Sequence, residues 1–210
     1  MKIPFLKLAT AILLLMVVVV ACKKEDNTTN DKGVLINGVR WATRNVNRPG
    51  TFTANPEDAG MYYQWNRKVG WSADPLINSD GGTIWDSSIS KSDTWENKND
   101  PCPAGWRVPT AYEFQSLIEA GNQWTKLNDI NGSIFGFNDQ TIFLPAAGYI
   151  WHGDGTLFDV DTAGCYWSSS VDSSNFYGTF PISLVFRTTT YVNTNQNRGS
   201  LGFSIRCVAE

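Results

Sequence analysis

The segment 100–110, which reads DPCPAGWRVPT, constrains the fold more strongly than any other part of the chain. It contains three prolines, and each of them fixes its own φ angle and keeps the preceding residue out of the helical region. We therefore expect a rigid, non-repetitive path rather than a flexible loop. At its end, Thr110 and Glu113 form the Thr-x-x-Glu pattern of a capping box, which marks the start of a helix.

The residues that follow predict one amphipathic helix over about 111–120. Phe114, Leu117 and Ile118 have the i, i+3, i+4 spacing that places apolar side chains on one helix face. Gly121 stands where the C-terminus of a helix favours a residue with positive φ. Cys102 lies just before this helix and is expected to anchor its start.

Four parts of the chain, taken together and in order, resemble the motifs of the Fibrobacter succinogenes major paralogous domain, a family of bacterial surface lipoprotein domains. They are PCPAGWRVPT at 101–110, VLINGVRW at 34–41 with RNV at 44–46, FLPAAGY at 143–149 with YWSS at 166–169, and GFSIRCV at 202–208. The resemblance covers residues 33 to 209. It implies a C-type-lectin-like or formylglycine-generating-enzyme-like fold, in which a disulfide commonly ties the first helix to the last strand.

The remaining pattern indicates many short strands joined by long connections. Asn37 and Gly38 separate two apolar runs and favour the two-residue turn of a β-hairpin. Further strands are expected at 60–65, 164–168, 176–180, 183–188 and 202–208. We therefore predict an α+β fold. The resemblance narrows this prediction to a C-type-lectin-like mixed fold with one main capped helix, several short antiparallel strands and long irregular loops.

The N-terminus has the features of a lipoprotein signal peptide over residues 1–21. Lys2 and Lys7 precede an apolar run over 8–21, which is shorter than a membrane-spanning helix needs. The residues just before Cys22 resemble a lipobox, so we predict cleavage before Cys22 and acylation of its thiol by palmitate or a similar chain. A simple signal peptide with a chance cysteine is the alternative.

The residues after Cys22 bear on where the protein resides. Lys-Lys-Glu-Asp at 23–26 resembles the surface-export signal of Bacteroidetes lipoproteins, although a solvated linker would look similar. We predict a lipid-anchored, surface-exposed protein of the outer membrane. Residues 22–32 are interpreted as the lipidated N-terminus and a polar tether, and residues 33–210 as a single domain.

The charge of the mature chain excludes one class of partner. Loss of Lys2 and Lys7 reduces the 17 basic residues to 15, against 20 acidic residues, which gives a net charge of −5. The sequence contains no basic block, and this argues against nucleic acid as a partner.

Three cysteines remain once Cys22 is assigned to the lipid anchor. An exported domain can keep a disulfide. Following the resemblance, we expect that disulfide to join Cys102, before the helix, to Cys207, in the last strand. Cys165 is then left over, and we interpret it as a small buried hydrophobic residue rather than a reactive thiol.

Tryptophan is the most unusual feature of the composition, with nine residues. Its large rigid face suits stacking against the apolar face of a sugar ring. Trp71, Trp85 and Trp95 lie in the irregular stretch 66–99, which we predict to be a long, loop-dominated insertion, and Trp151 lies in a glycine-rich turn. These four are candidate ligand-binding residues, with burial in the core as the open alternative. The core is predicted for Trp41, Trp65, Trp106 and Trp167.

The sequence gives little support for a metal or for catalysis. Asp154, Asp159 and Asp161 are calcium candidates, but their spacing does not match an EF-hand loop, and solvated loop acids are the alternative. We expect no cofactor, with calcium as the possible exception. His152 is the only histidine in the sequence, which leaves a single candidate base. The closely spaced cysteine pair that holds copper in formylglycine-generating enzymes is also missing. We therefore predict a protein that is not an enzyme.

These observations favour a surface-anchored, non-catalytic binding module for an extracellular glycan or glycoconjugate. One alternative is a protein-binding adhesion or structural module of a cell-surface assembly. A third hypothesis is an enzyme on a formylglycine-generating-enzyme-like scaffold.

Overall fold

The structure is a computed structural model that describes residues 30–174, 179–188 and 191–210. The predicted signal peptide, Cys22 and most of the strand expected at 176–180 lie outside these ranges. Strand accounts for 41% of the described residues, arranged in small antiparallel sheets, and the described part contains one short α-helix. The predicted α+β, C-type-lectin-like mixed fold is therefore wrong, and the fold is mostly β. Within the described ranges, no helix is long and apolar enough to cross a membrane.

The first sheet brings both ends of the described domain together. Its strands, in spatial order, are β1 (Val34–Ile36), β2 (Val39–Trp41), β15 (Val208–Ala209) and β6 (Trp106–Arg107). β1 and β2 form the predicted hairpin, with Asn37 and Gly38 at positive φ in the turn. The proline-rich segment that contains β6 therefore lies beside the C-terminal strand.

Two of the three strands of the second sheet lie within the stretch that was predicted to be a loop-dominated insertion. Strands β3 (Tyr62–Tyr63), β4 (Gly70–Ala73) and β5 (Leu76–Asn78) pair in that order. The prediction of an irregular stretch is therefore wrong for 70–78. Residues 79–96 contain no helix or strand, and a single 3-10 turn follows at Asn97–Asn99.

A third sheet follows the helix as a three-stranded meander. It contains β7 (Asn122–Leu127), β8 (Ile130–Phe137) and β9 (Gln140–Pro145). Asn128 and Asp129 adopt positive φ in the first turn, and Asn138 does so in the second. Asparagine and aspartate tolerate this conformation, which allows both hairpins to close tightly.

The fourth and fifth sheets form the side of the molecule that carries the cavity. The larger one contains β12 (Ala163–Asp172), β13 (Phe180–Arg187) and β14 (Val192–Gln196), and an irregularity interrupts the β12–β13 pairing between Trp167 and Val171. The smaller one pairs β10 (Tyr149–Ile150) with β11 (Leu157–Phe158).

The segment 202–207 was predicted to be a regular strand, but instead it makes single bridges to several sheets. Gly202 exchanges backbone hydrogen bonds with Ile150, and Phe203 does the same with Tyr63. Ser204 N–H donates to Cys165, and the Cys207 carbonyl accepts from Ala42 N–H. The side chains of 201–207 are all buried.

Arg206 adds a charged side chain to this buried segment. Its Nε donates to Asn45 Oδ1 at 2.9 Å, and its Nη1 donates to the Ala42 carbonyl at 3.1 Å. Burial lowers the pKa of the Arg206 guanidinium to about 10, because removal from water disfavours the charged form. Asn45 in turn donates to the Ala59 carbonyl, so the charge is embedded in a hydrogen-bonded network.

The hydrophobic core contains two main clusters and a smaller third one. The first surrounds Trp65, Trp167 and Phe203, and the second joins helix α1 (Ala111–Glu119) to the sheets through Trp41, Phe114 and Phe186. The third comprises Tyr62, Trp71, Ala147 and Ile150.

Asp31, which the prediction places in the polar tether, makes several contacts with the domain. Its carboxylate accepts hydrogen bonds from the backbone N–H groups of Gly33 and Thr43 and from the Thr43 hydroxyl. It also lies 3.5 Å from Arg44 Nε, and its side chain is only 1% exposed. The last residues assigned to the predicted tether therefore pack against the domain.

The predicted helix is confirmed, with the capping box at its start. Thr110 Oγ1 accepts from Glu113 N–H, and the Glu113 carboxylate accepts from Thr110 N–H. Arg107 binds both carboxylate oxygens of Glu113, at 2.6 and 2.9 Å. Burial raises the pKa of Glu113, but hydrogen bonds from Arg107 and Thr110 outweigh this effect and leave the pKa below its usual value.

We predict that Glu113→Gln lowers the free energy of unfolding by about 1 kcal/mol at pH 7, because glutamine can still accept from Thr110 N–H but lacks the negative charge that binds Arg107. Because the folded pKa is lowered, this stabilisation is present above the unfolded pKa of about 4.3 and is lost as the pH falls through the folded pKa. Urea unfolding from pH 7 to pH 3 should therefore show the difference from wild type narrowing below about pH 4. Glu119→Gln, at the exposed end of the same helix, is the control, and a difference independent of pH would contradict the prediction.

The structure contains the expected disulfide between Cys102 and Cys207, which are separated by 105 positions in the sequence. The side chain of Cys207 is fully buried, as are those of its sequence neighbours Arg206 and Val208. The bond therefore joins the proline-rich segment that precedes the helix to the buried C-terminal segment.

We predict that the double substitution Cys102→Ala and Cys207→Ala lowers the free energy of unfolding by about 3 to 5 kcal/mol, because a long loop is no longer closed in the unfolded chain. Guanidinium unfolding with and without dithiothreitol provides the measurement. The reductant should destabilise the wild-type protein and leave the double variant unchanged. Equal stability of the two proteins under oxidising conditions would contradict the prediction.

Candidate functional site

A cavity of about 580 Å³ opens between the fourth and fifth sheets. Tyr149 and Trp151 line one wall, and β14 and the residues around it line the other. Cys165, Val185, Leu201 and Phe203 form an apolar floor. The cavity therefore combines an apolar base with a polar rim, as binding sites for small ligands commonly do.

Aromatic side chains supply one wall of the cavity. The Tyr149 ring stacks on Phe158 with centroids 6.0 Å apart, and it meets the edge of Phe203 at 6.1 Å. Trp151 and, across the cavity, Tyr191 are each 41% exposed. These rings are partly fixed by packing and still present surface to solvent.

Amide side chains on and beside β14 supply the opposite wall. Asn195 Oδ1 accepts from the Tyr191 hydroxyl at 2.8 Å, and Asn197 Nδ2 donates to Ser183 Oγ at 2.8 Å. These bonds orient both amides. Asn195 Nδ2 and Asn197 Oδ1 make no hydrogen bond to any other described residue, which leaves the two N–H donors of Asn195 and the amide oxygen of Asn197 for a ligand.

An ion pair lies at the rim of the cavity. Arg187, at the end of β13, donates through Nη1 to Asp159 Oδ2 at 2.9 Å. The side chains of Arg187 and Asp159 are 45% and 33% exposed, so the pair is hydrated and contributes little to stability. Burial raises the pKa of Tyr149, and the charge of Asp159 adds to this effect while Arg187 opposes it. All three groups therefore lie within electrostatic reach of one another.

The four candidate tryptophans have three different roles. Trp151 lines the cavity. Trp71 is only 2% exposed and packs against Trp85, with ring centroids 5.0 Å apart. Trp85 Nε1 donates to the carbonyl of His152 at 3.1 Å, so Trp85 supports the turn that carries Trp151. These contacts favour the alternative of burial in the core for Trp71 and a supporting role for Trp85, and their assignment as ligand-contacting residues stays a prediction.

The turn that carries Trp151 is closely packed. Trp151 N–H donates to the Thr156 carbonyl at 2.7 Å, and Gly155 N–H donates to the Trp151 carbonyl at 3.2 Å. Gly155 has a φ of +82°, and a Cβ at this position would lie 2.6 Å from Leu76 Cδ2. The glycine therefore allows the turn to rest directly on β5 and Trp85.

Trp95 lies away from the cavity. Its ring meets the edge of Trp65 at 5.6 Å, and it packs against the first core cluster. Its Nε1 is buried and has no hydrogen-bond partner among the described residues. Trp95 therefore belongs to the packing of the core, and the surface-recognition interpretation does not fit it.

The side chains of the three calcium candidates lie in different surroundings. Asp154 accepts from Thr156 N–H within the turn, Asp159 binds Arg187, and Asp161 lines a separate pocket of about 320 Å³. In the described part of the chain, no three His, Cys, Asp or Glu side chains are grouped so that they could hold a metal ion. The structure therefore does not bring these aspartates together as a calcium site.

Most residues of the cavity wall were not predicted from the sequence. Arg187, Tyr191, Asn195 and Asn197 were not singled out, and Tyr149 was noticed only as part of a motif. A usable signal was present in the run YVNTNQN at 191–197, in which four of seven side chains are amides. An amide-rich strand beside an aromatic turn is typical of a ligand-binding edge.

Comparisons with known proteins did not identify a relative. A scan against protein-family models, a search of curated proteins and a search of solved structures each found no significant match. The resemblance to the Fibrobacter succinogenes major paralogous domain therefore stays a prediction from the sequence motifs.

Cys165, in the floor of the cavity, is a free buried cysteine. Burial raises the pKa of its thiol to about 12. We predict that iodoacetamide at pH 8 modifies Cys165 at least about 100-fold more slowly in the folded protein than in guanidinium, because both the thiolate fraction and access are small. Mass spectrometry of the Cys165 peptide provides the rate. Modification at similar rates in both conditions would contradict the buried position.

Proposed function

We propose that this domain is a non-catalytic binding module for an extracellular glycan. The observation that carries the proposal is the cavity in which Tyr149 and Trp151 lie opposite Tyr191 and the oriented amides of Asn195 and Asn197. We further propose that an acyl chain on Cys22 anchors the protein to the outer membrane with the domain exposed at the cell surface. The motif resemblance to a surface lipoprotein family supports this placement.

The chemistry of the cavity matches the chemistry of a sugar. A pyranose ring has an apolar C–H face and a periphery of hydroxyl groups, so it needs a flat hydrophobic partner and groups that both donate and accept hydrogen bonds. The aromatic wall supplies the first of these. Asn195 Nδ2 and Asn197 Oδ1 supply the second, and their bonds to Tyr191 and Ser183 reduce the entropy lost when a ligand binds.

The same lining supports binding rather than hydrolysis. Glycoside hydrolysis commonly uses two carboxyl groups on opposite sides of the scissile bond. In the part of the chain that the structure describes, no residue that lines the cavity carries a carboxyl group, and the nearby Asp159 is paired with Arg187. The Cys165 thiol is kept protonated by its raised pKa, so it does not act as a nucleophile at neutral pH.

We predict that Trp151→Ala weakens glycan binding at least about tenfold, equivalent to about 1.4 kcal/mol, because stacking surface is lost. The test applies wild type and variant to a panel of plant, microbial and host glycans, followed by calorimetry with the best ligand. Phe137→Ala removes an aromatic ring that is 74% exposed on a different face of the domain and should leave the Kd unchanged.

Circular dichroism must first show that wild type and each variant are folded. We expect binding to persist in EDTA, because Arg187 already occupies the Asp159 carboxylate. Loss of binding in EDTA would instead assign a metal to the site. Unchanged affinity in Trp151→Ala would refute the assignment of the cavity as the glycan site.

A second function is favoured by a different observation. Ile84 is 87% exposed and Ile89 is 48% exposed in the segment 79–96, which has no helix or strand. Exposed apolar side chains on such a segment suit contact with another protein. If the folded domain binds no glycan of the panel, a protein-binding adhesion module becomes the better proposal. Crosslinking at position 84 on intact cells, with identification of the captured protein, would test that role.

A further inference from the structure

We propose that the Arg187–Asp159 pair makes this cavity select uncharged sugars over sugars that carry a carboxylate. The inference rests on the proposed glycan-binding function and names the ligand class for the same site. Among the described residues, Arg187 is the only basic one that lines the cavity, and Asp159 already neutralises it through a bond of 2.9 Å. A ligand carboxylate therefore meets no uncompensated positive charge there.

The cost to an acidic ligand follows from the geometry of the pair. To bind Arg187, the carboxylate of a uronic acid must either displace Asp159 or lie beside it. Displacement exchanges one ion pair for another and leaves Asp159 without its partner. Coexistence places two negative charges on one guanidinium, and like charges at such distances repel. The whole chain also carries a formal net charge of −3, which opposes rather than assists an anion.

A neutral sugar can use the same pair without this cost. Arg187 uses only Nη1 for Asp159, so its Nη2 and Nε groups have no hydrogen-bond partner among the described residues. Asp159 Oδ1 likewise accepts no hydrogen bond from the described part of the chain. Two adjacent hydroxyls of a sugar can therefore accept from the guanidinium and donate to the carboxylate. Charge-assisted hydrogen bonds of this kind are stronger than those between neutral groups.

The position of Asp159 allows its charge to be removed without disturbing the fold. Its φ is +57°, a conformation that asparagine also tolerates. The turn is closed by its backbone, because the Asp159 carbonyl accepts from Thr162 N–H at 3.2 Å and from Ala163 N–H at 3.0 Å. Asp159→Asn therefore keeps the turn and the side-chain shape and cancels the negative charge.

Matched pairs of oligosaccharides test the proposal. Each pair contains a neutral sugar and its uronic acid counterpart, namely galactose and galacturonate, mannose and mannuronate, or glucose and glucuronate. Calorimetry on the full chain in low salt gives both Kd values for wild type and for Asp159→Asn. Asp129→Asn is the matched control, because Asp129 also has positive φ, at +66°, but lies in the β7–β8 turn.

We expect wild type to bind the neutral member of a pair at least about tenfold more tightly than the acidic member. Asp159→Asn should bind the acidic member more tightly than wild type does, which reduces or reverses the preference for the neutral member. Added salt should weaken this new affinity for the acidic member. The double variant Asp159→Asn, Arg187→Gln should not bind the acidic member more tightly than wild type does, because the guanidinium that would attract the ligand carboxylate is absent. Asp129→Asn should match wild type.

The outcomes separate the two proposals. If wild type binds neutral sugars but Asp159→Asn leaves the ratio unchanged, or if wild type prefers the acidic member, the charge-selection inference is overturned and glycan binding stands. If wild type binds a panel glycan but no neutral member of any pair, the charge-selection inference is overturned and glycan binding stands; if it binds neither the panel nor any pair, the proposed function fails. If Asp159→Asn does not fold, the variant Arg187→Gln provides the test. It should bind neutral sugars more weakly and acidic sugars no more tightly than wild type does. Tighter binding of acidic sugars by Arg187→Gln would overturn the inference.

Discussion

The backbone hydrogen bonds of the buried segment 201–208 hold the small sheets together as one structure. Two- and three-stranded sheets are marginal by themselves, because each has edges and a face that needs cover. This segment bonds to β3, β10, β12 and the residues after β2, so four of the five sheets share one central chain, and the β7–β9 sheet joins them through core packing. The disulfide at Cys207 and the hydrogen bonds of the buried Arg206 guanidinium prevent the segment from shifting along its own axis relative to the sheets.

The candidate site depends on the same segment. Leu201 and Phe203 contribute to the floor of the cavity, while Tyr149 on β10 and Cys165 on β12 stand in strands that bond directly to it. The walls of the cavity therefore come from strands that are distant in sequence but joined to a common partner. Trp71 and Trp85 add support from the other side, because they underlie the turn that presents Trp151. Rigid support of this kind reduces the ordering cost of binding.

Local interactions explain what the sequence predicted correctly. The capping box of Thr110 and Glu113 and the Asn37–Gly38 turn are satisfied within a few residues, so their patterns are legible without knowledge of the fold. Strand β14 was missed because it is a polar edge strand whose register is set by β13, and its amides have no periodicity that burial would impose. The loop tryptophans were ambiguous for the same reason. Trp71 and Trp151 both lie where the sequence shows no regular period, and only nonlocal packing buries one ring and exposes the other.

The docking of Asp31 against Thr43 and Arg44 limits how far the domain can stand from a membrane. If Cys22 carries the acyl chain, nine peptide units separate the anchor from Asp31, and a fully extended chain of that length spans at most about 30 Å. The cavity would then work in the layer of polysaccharide closest to the lipid. A ligand would therefore be bound no farther from the lipid than this tether and the width of one domain allow.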